Sequence, residues 1–301
     1  MSLKLKINAT FLVIFTCVFI ATYPRISLAE EIVIYIRDDV YKDYLNFVNG
    51  RDISTINDFH GGRIRRDVVD MILAQQALEL GGFNHHFKYI PGKLNFRNTK
   101  MLQKGRLLIS FDSYWYSDAL TLADDIYVSD AVIRKGEYIA GLYTSPNNKP
   151  ALSIKTLDDL KKFTAVSTTK WKTDWQTISQ LPLKQLVAED EWLSMARMVD
   201  LMWIDLIFMP FHASEDKRFT IDKITLMPVK DVAIVLNDSR HFVISTKHPL
   251  GAAAYKAMNN GLKKLREKKL ITKAYKEAGF FIDRDKITIL NQDLISNPSS
   301  K

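Results

Sequence analysis

The densest chemistry in the chain lies in seven consecutive residues, Asp112-Ser113-Tyr114-Trp115-Tyr116-Ser117-Asp118. Three adjacent aromatics between hydroxyls and carboxylates combine flat apolar faces with polar tips, the composition of a ligand wall. The same residues could equally plug a domain from outside, and the sequence leaves both readings open. A second group, Ser167, Thr168 and Thr169 ahead of Trp171, gathers hydroxyls where a helix should begin. Free N–H groups and the positive end of a helix dipole favour a carboxylate or another anion there. Arg37, Asp38, Asp39 and Tyr41 follow the apolar run Ile32 to Ile36. Ligands collect outside the carboxyl ends of strands in open α/β sheets, which makes these four pocket candidates; Arg37 and Asp38 paired with each other or with solvent is the competing reading.

Catalytic signatures are missing. No Gly-x-Ser-x-Gly, P-loop, His-Glu-x-x-His or dinucleotide fingerprint occurs. The carboxylate pairs Asp38/Asp39 and Asp124/Asp125 are neighbours in sequence, point apart on an extended chain and do not make an acid/base dyad. His85 and His86 fall on opposite faces of an expected strand, so no metal and no cofactor is expected. These absences favour binding over catalysis.

The elements that position these groups follow from periodicity. Ile32 to Ile36, Asn84 to Ile90, Leu107 to Phe111 and Trp203 to Met209 read as strands, the first buried on both faces. Ile64, Val68, Met71, Ile72 and Leu78 recur at helical spacing and stop at Gly81-Gly82, after a loop Asp58-Phe59-His60-Gly61-Gly62. Phe96 to Gln103 is a short helix. Thr156 and Asp159 have capping-box spacing and start a helix at Leu157, followed by the strand Phe163 to Val166. Trp192, Met195, Ala196, Val199 and Met202 form a helix stripe with Asp190 as its cap, a core face rather than a cofactor box. Ile224 to Leu226, Val232 to Leu236 and His241 to Thr246 are strands, and two helices, with apolar faces at Tyr255 to Leu265 and Leu270 to Tyr275, end at Gly279.

A chain of 301 residues with 47% hydrophobic composition can build a core in each of two domains. Lys4 and Lys6, the apolar run Ala9 to Ala21 and Ser27-Leu28-Ala29 have the layout of a secretory signal peptide over residues 1–29, cleaved before Glu30. Cys17, the only cysteine, lies within it, so the exported chain carries no thiol to mispair. Lys4, Lys6 and Arg25 supply three of the formal +8 charges, leaving about +5 dispersed over the remainder. That pattern is a solvated surface rather than a nucleic-acid face.

Crossing segment, "TLDDLKK" helix, "FTAV" strand and Thr-containing turn, in the order of Thr144 to Trp171, resemble the second lobe of the amino-acid-type periplasmic solute-binding proteins. The ending "GLKKLREKKLITKAYKEAGF" is also similar to that family's last helices. The resemblance implies a two-lobed α/β fold of the type II periplasmic-binding class with two hinge crossings, near 144–153 and 226–232. It divides the chain into lobe 1 (30–146 plus 231–290), lobe 2 (147–230) and a tail (291–301). It implies a non-enzymatic, monomeric periplasmic protein that captures a small polar or anionic solute, an aromatic one included, for an ABC permease. A ligand sensor for a membrane receptor, or a dehydratase-like enzyme using Glu137 or Asp112, are the alternatives.

The chain departs from the family's clamp. No arginine lies between Arg106 and Arg134, so Arg134, with Ser129, is the expected substitute for the carboxylate clamp. Pro210 stands where the family has the Asp that meets the ligand's ammonium group, and Phe211 and His212 follow it. The expected ligand-binding residues are therefore Arg37, Asp38, Asp112, Tyr114, Trp115, Arg134, Thr168, Thr169, Trp171 and Phe211.

Overall fold

The computed structural model describes residues 31–61, 64–92, 96–212 and 214–296. The expected signal peptide lies outside the described residues. Among them, no helix is long and apolar enough to cross a membrane.

The first apolar run is β1 (Ile32–Arg37), which leads directly into α1 (Asp38–Val48). Buried and half-buried residues alternate along β1, so one face is covered more than the other, where the continuous apolar run suggested equal burial. After α2 (Arg66–Leu80), β2 (Phe87–Gly92) pairs parallel with β1, Ile32 opposite Phe87. His85 and His86 thus precede the strand rather than alternating within it. The chain continues through α3 (Phe96–Gln103), β3 (Tyr114–Trp115), α4 (Tyr116–Leu120) and β4 (Ile126–Ile133). Leu107 to Phe111, read as a strand, makes only the isolated bridge Ile109 to Ile244.

The second half opens with β5 (Ile139–Thr144) and α5 (Lys149–Leu152). β6 (Thr164–Ser167), α6 (Lys172–Ser179), β7 (Gln185–Ala188), α7 (Trp192–Asp200) and β8 (Leu206–Pro210) then alternate. The chain finishes through β9 (Phe219–Ile221), β10 (Ile224–Val235), β11 (Arg240–Ser245), α8 (Gly251–Glu267), α9 (Leu270–Glu277), β12 (Thr288–Ile289) and α10 (Gln292–Ser296).

Three sheets result. β1 and β2 form one, β3-β11-β4 a second, and β12-β10-β5-β8-β6-β7 a third to which β9 adds through β10. β6, β7 and β8 are parallel, as alternation with helices requires, whereas β5 runs antiparallel to both β8 and β10. The two strands expected around Pro228 are one long strand, β10, whose register with β5 shifts between Pro228 and Ala233. Proline has no N–H to donate, so an irregularity is where a sheet tolerates it.

Local rules held in some places and yielded in others. Thr156 and Asp159 make the reciprocal bonds of a capping box, Thr156 N–H to Asp159 Oδ2 at 2.9 Å and Asp159 N–H to Thr156 Oγ1 at 3.3 Å. The turn they open is a 3-10 helix, Asp158–Lys162, not an α-helix. Asp190 does not cap α7, whose N-cap is Glu191. Trp203 lies outside β8 and is 71% exposed, because the chain turns at Met202 with φ +57° before the strand begins. Asn291, expected in a tail, is 2% exposed and exchanges two 2.9 Å bonds with the backbone of Val235, extending the sheet with a side-chain amide.

Helices α2 and α8 approach closely through glycines. A Cβ on Gly261 would fall 1.8 Å from the Ala77 carbonyl oxygen, and one on Gly81 would fall 2.0 Å from that of Ala257. Both obstacles are backbone, which cannot rotate away. Gly261→Ala should therefore force the helices apart and cost about 3 kcal/mol of unfolding free energy. A urea midpoint equal to wild type would show that the crossing is looser than this geometry.

Candidate functional site

Carboxyl ends and helix starts converge where β1, the start of α2, the Asp112-Ser113 segment and the start of β11 meet. Arg66 is the centre. Its Nη1 donates to Asp70 Oδ2 at 2.5 Å and to Ser113 Oγ at 3.2 Å, while Nη2 reaches Asp112 Oδ1 at 3.2 Å and also donates to Asp67. Burial opposes the charge of Arg66, but Asp67, Asp70 and Asp112 outweigh it and hold the guanidinium well above its ordinary pKa. Helical spacing explains the Asp70 contact, since i and i+4 share a face.

Arg240 enters from β11. Its Nε donates to Ser113 Oγ at 2.9 Å and its Nη2 to the Ser113 carbonyl, while Nη2 lies 3.8 Å from Asp112 Oδ1. The guanidinium also sits 4.6 Å above the Trp115 ring, a cation–π contact. Two arginines thus address one carboxylate oxygen. The Asp112 side chain is 35% exposed while those of Arg66 and Arg240 are 15% and 10% exposed, so the anion is the accessible partner of two nearly buried cations.

Arg37 closes the near edge. It binds Asp39 through Nε at 3.0 Å and Nη2 at 2.8 Å, and lies 3.7 Å from Asp67. Arg65 shares Asp39 at 2.8 Å. Desolvation would raise the Asp39 carboxyl, yet its bonds from Arg37 and Arg65 hold it well below the ordinary range.

The helix that links β6 to β7 contributes Asp174, in the first turn of α6. Burial raises its carboxyl to about 6 against the attraction of Arg240 and Arg66. The native state therefore holds a proton between the unfolded value of 3.8 and about 6 that the unfolded chain has released, and stability falls as pH rises through that window. Asp174→Asn should abolish this slope and leave the protein more stable at pH 7 by on the order of 2 kcal/mol. Urea midpoints from pH 4 to 7 measure it, and parallel profiles for the two proteins would refute it.

The structure separates the residues expected at the site. Arg37 and Asp112 join the cluster, Arg37 pairing with Asp39 while Asp38 stays exposed at the start of α1. Trp115 is 7% exposed, packed on Tyr138 at 4.7 Å between ring centres, and it lies beneath the Arg240 guanidinium. Tyr114 is half-buried, its hydroxyl 3.2 Å from Thr99 Oγ1. Phe211 is 8% exposed and packs on Gly141 in the core beside β5. Arg134 is exposed in a turn where its N–H meets Glu137 Oε2 at 2.7 Å; together with burial, the larger cause, it lowers the pKa of Arg266. Neither Arg134 nor Glu137 reaches the cluster through any contact among the described residues.

The hydroxyl turn binds an anion of its own. Thr168 is buried, its hydroxyl donating to Asp190 Oδ1 at 2.9 Å and accepting from Lys170 N–H at 3.2 Å. Lys170 Nζ completes the pair with Asp190 at 3.0 Å. Thr169 and Trp171 are exposed, with Trp171 6.3 Å from the Trp192 ring.

Arg66, Asp67, Asp70, Asp174 and Arg240 escaped the sequence reading. One signal for them existed: Asp70 sits among Val68, Val69, Met71 and Ile72, a carboxylate on an apolar helix face that must find a buried partner.

No protein-family profile matches the chain, and no curated protein sequence matches it. Solved structures do. Substrate binding domain 2 of Lactococcus lactis GlnP, in its open conformation, is 11% identical with a TM-score of 0.53, covering 84% of this chain and 96% of that one. The probable amino-acid ABC transporter extracellular-binding protein YtmK of Bacillus subtilis is 13% identical with a TM-score of 0.52, covering 83% and 98%. The periplasmic VFT2 domain of Bordetella pertussis BvgS is 12% identical with a TM-score of 0.50, covering 69% and 82%. Mixed sheets in this order and a fold shared over nearly the whole length of such domains make this chain a two-lobed, type II periplasmic-binding-protein fold.

Proposed function

We propose that the chain is an exported solute-binding protein of the amino-acid type that closes its lobes on a small ligand carrying both a carboxylate and an ammonium group. The observation that carries this reading is the shared grip of Arg66 and Arg240 on the half-buried Asp112 carboxylate, with Asp174 presented from α6. A ligand carboxylate takes the place of Asp112 against the two guanidiniums, in a site where most of the desolvation cost is already met. The ligand's ammonium then meets Asp112 and Asp174. Asp174 thereby serves where the family's clamp Asp would stand, and Arg66 and Arg240 serve for its arginine.

Lobe closure follows from the layout. β5 and β10 run side by side in the third sheet, so in this reading the crossings fall just before Ile139 and just after Val235, earlier than the expected boundary at 146 on the first strand and later than 231 on the second. A ligand touching Arg240 on one side and Asp174 on the other stabilises the closed state by its differential affinity for it. YtmK, described as a probable amino-acid ABC transporter extracellular-binding protein, supports delivery to an ABC permease; a periplasmic location and a monomeric state belong to the same proposal. The polar and anionic character expected from sequence is kept in this reading. The aromatic preference is dropped, because Trp115 is packed away.

A thermal-shift screen of the purified chain against amino acids, dicarboxylates, monoamines, sugars and peptides tests the proposal. Ligands with both charged groups should raise Tm by a few degrees at about 100 times their Kd. Hits confined to sugars, or to amines lacking a carboxylate, would overturn it.

A further inference from the structure

A second cluster lies at the C-terminal end of α9, where Glu277 meets the Asp58-Phe59-His60 loop that the proposed ligand cluster does not use. His60 Nδ1 lies 2.7 Å from Asp58 Oδ1 and 3.8 Å from Glu277 Oε2, and the three ligand atoms are all within 4.8 Å of one another. The loop is fastened to α9 before any ion arrives. Phe59 is fully buried between the two ligands, its N–H donates to Glu277 Oε2 at 2.9 Å, and Lys273 Nζ donates to the Asn57 carbonyl. Asp58 and His60 therefore emerge on one side of a fixed anchor, facing the same helix end.

We propose that Asp58, His60 and Glu277 form a three-ligand site for a divalent transition-metal ion of the zinc class. Ligands at the usual zinc distances of about 2.0–2.2 Å stand about 3.3 Å apart around a tetrahedron. The His60 separations of 2.7 and 3.8 Å bracket that spacing and the third pair lies within 4.8 Å, so rotations of the exposed Asp58 and His60 side chains bring all three atoms onto one ion. An imidazole nitrogen with two carboxylates selects zinc, nickel or copper over calcium and magnesium, which favour oxygen ligands alone. The Asp58 and His60 side chains are 67% and 70% exposed, which leaves the ion reachable and water free to complete its shell. Lys273 Nζ sits 3.6 Å from Glu277 Oε1, the oxygen turned away from His60, and it is the competing cation. Sequence spacing hid the site, because 218 positions separate Phe59 from Glu277.

The test titrates the metal-stripped full chain with ZnCl2 by calorimetry, with CoCl2 as a visible-absorption reporter and CaCl2 and MgCl2 as controls. Saturable one-to-one zinc binding is expected, with ligand-field bands from cobalt and no response to calcium or magnesium. His60→Ala and Asp58→Asn should each weaken zinc at least about tenfold while leaving the metal-free Tm unchanged. Lys273→Gln should tighten it by removing the competing charge. No saturable binding at millimolar zinc would overturn the site, as would equal affinity in wild type and His60→Ala. Tm gains from amino acids in the cleft are independent of these three residues, so failure here leaves the cleft reading intact.

Discussion

Asp70→Ala is expected to destabilise the protein by about 3–5 kcal/mol. The side chain is fully buried and accepts from Arg66 at 2.5 Å, from Ser113 N–H and Oγ at 3.2 and 2.6 Å, and from the Tyr275 hydroxyl at 2.5 Å. Alanine removes every one of these acceptors at once. The Tyr275 hydroxyl and Ser113 amide are left unsatisfied in a dry interior, and Arg66 keeps its charge with less to offset its burial. Asp70→Asn retains one acceptor oxygen and should lose less, which separates the charge from the hydrogen bonds. Urea denaturation with an unchanged slope and a lowered midpoint is the expected record. A midpoint for Asp70→Ala within experimental error of wild type would mean that this network is not the fulcrum joining α2, α9 and the Ser113 segment.

Arg240→Lys should abolish most ligand affinity while sparing much of the fold. Lysine keeps the positive charge but presents a point donor, whereas Arg240 uses Nε and Nη2 together on Ser113 and lies flat over Trp115. Losing a guanidinium that Ser113 and Trp115 hold in place for a carboxylate, in a nearly buried site, corresponds to a Kd weakened about 100-fold or more. Arg134→Ala, by contrast, should leave Kd unchanged, because that guanidinium sits in an exposed turn beside Arg266. Calorimetry with the best ligand from the screen compares the two. Equal affinities for Arg240→Lys and wild type, or a loss confined to Arg134→Ala, would move the site away from the cluster.

Several features were legible in the residues themselves. The IVIYI strand, the Gly81 helix stop, the capping box at Thr156 and the two terminal helices all rest on contacts within a few positions, and the structure has them at those places. The two departures from the pattern of the resembled family, Pro210 and the arginine-free stretch from Leu107 to Ile133, are also plain in the sequence. Trp115, Phe211 and Thr168, expected at the site, each have contacts within the protein that the sequence did not reveal. Composition marks a side chain as able to meet a ligand but does not say whether the protein has already used it. Trp115 supports Arg240, Phe211 fills the space above Gly141, and Thr168 is committed to Asp190.

Sequence alone determined the local elements and, through their order, the two-lobed class, because helix caps, strand runs and glycine stops depend on neighbours three or four residues away. Tertiary structure decided which charges meet. Arg240 and Ser113 are 127 positions apart, Tyr275 and Asp70 are 205 apart, and nothing in either segment names its partner. A buried charge is tolerable only when paired, and the pairing is set by how β11, α2 and α9 pack. The charge cluster was therefore fixed by packing, and its members became identifiable only once β11, α2 and α9 were assembled.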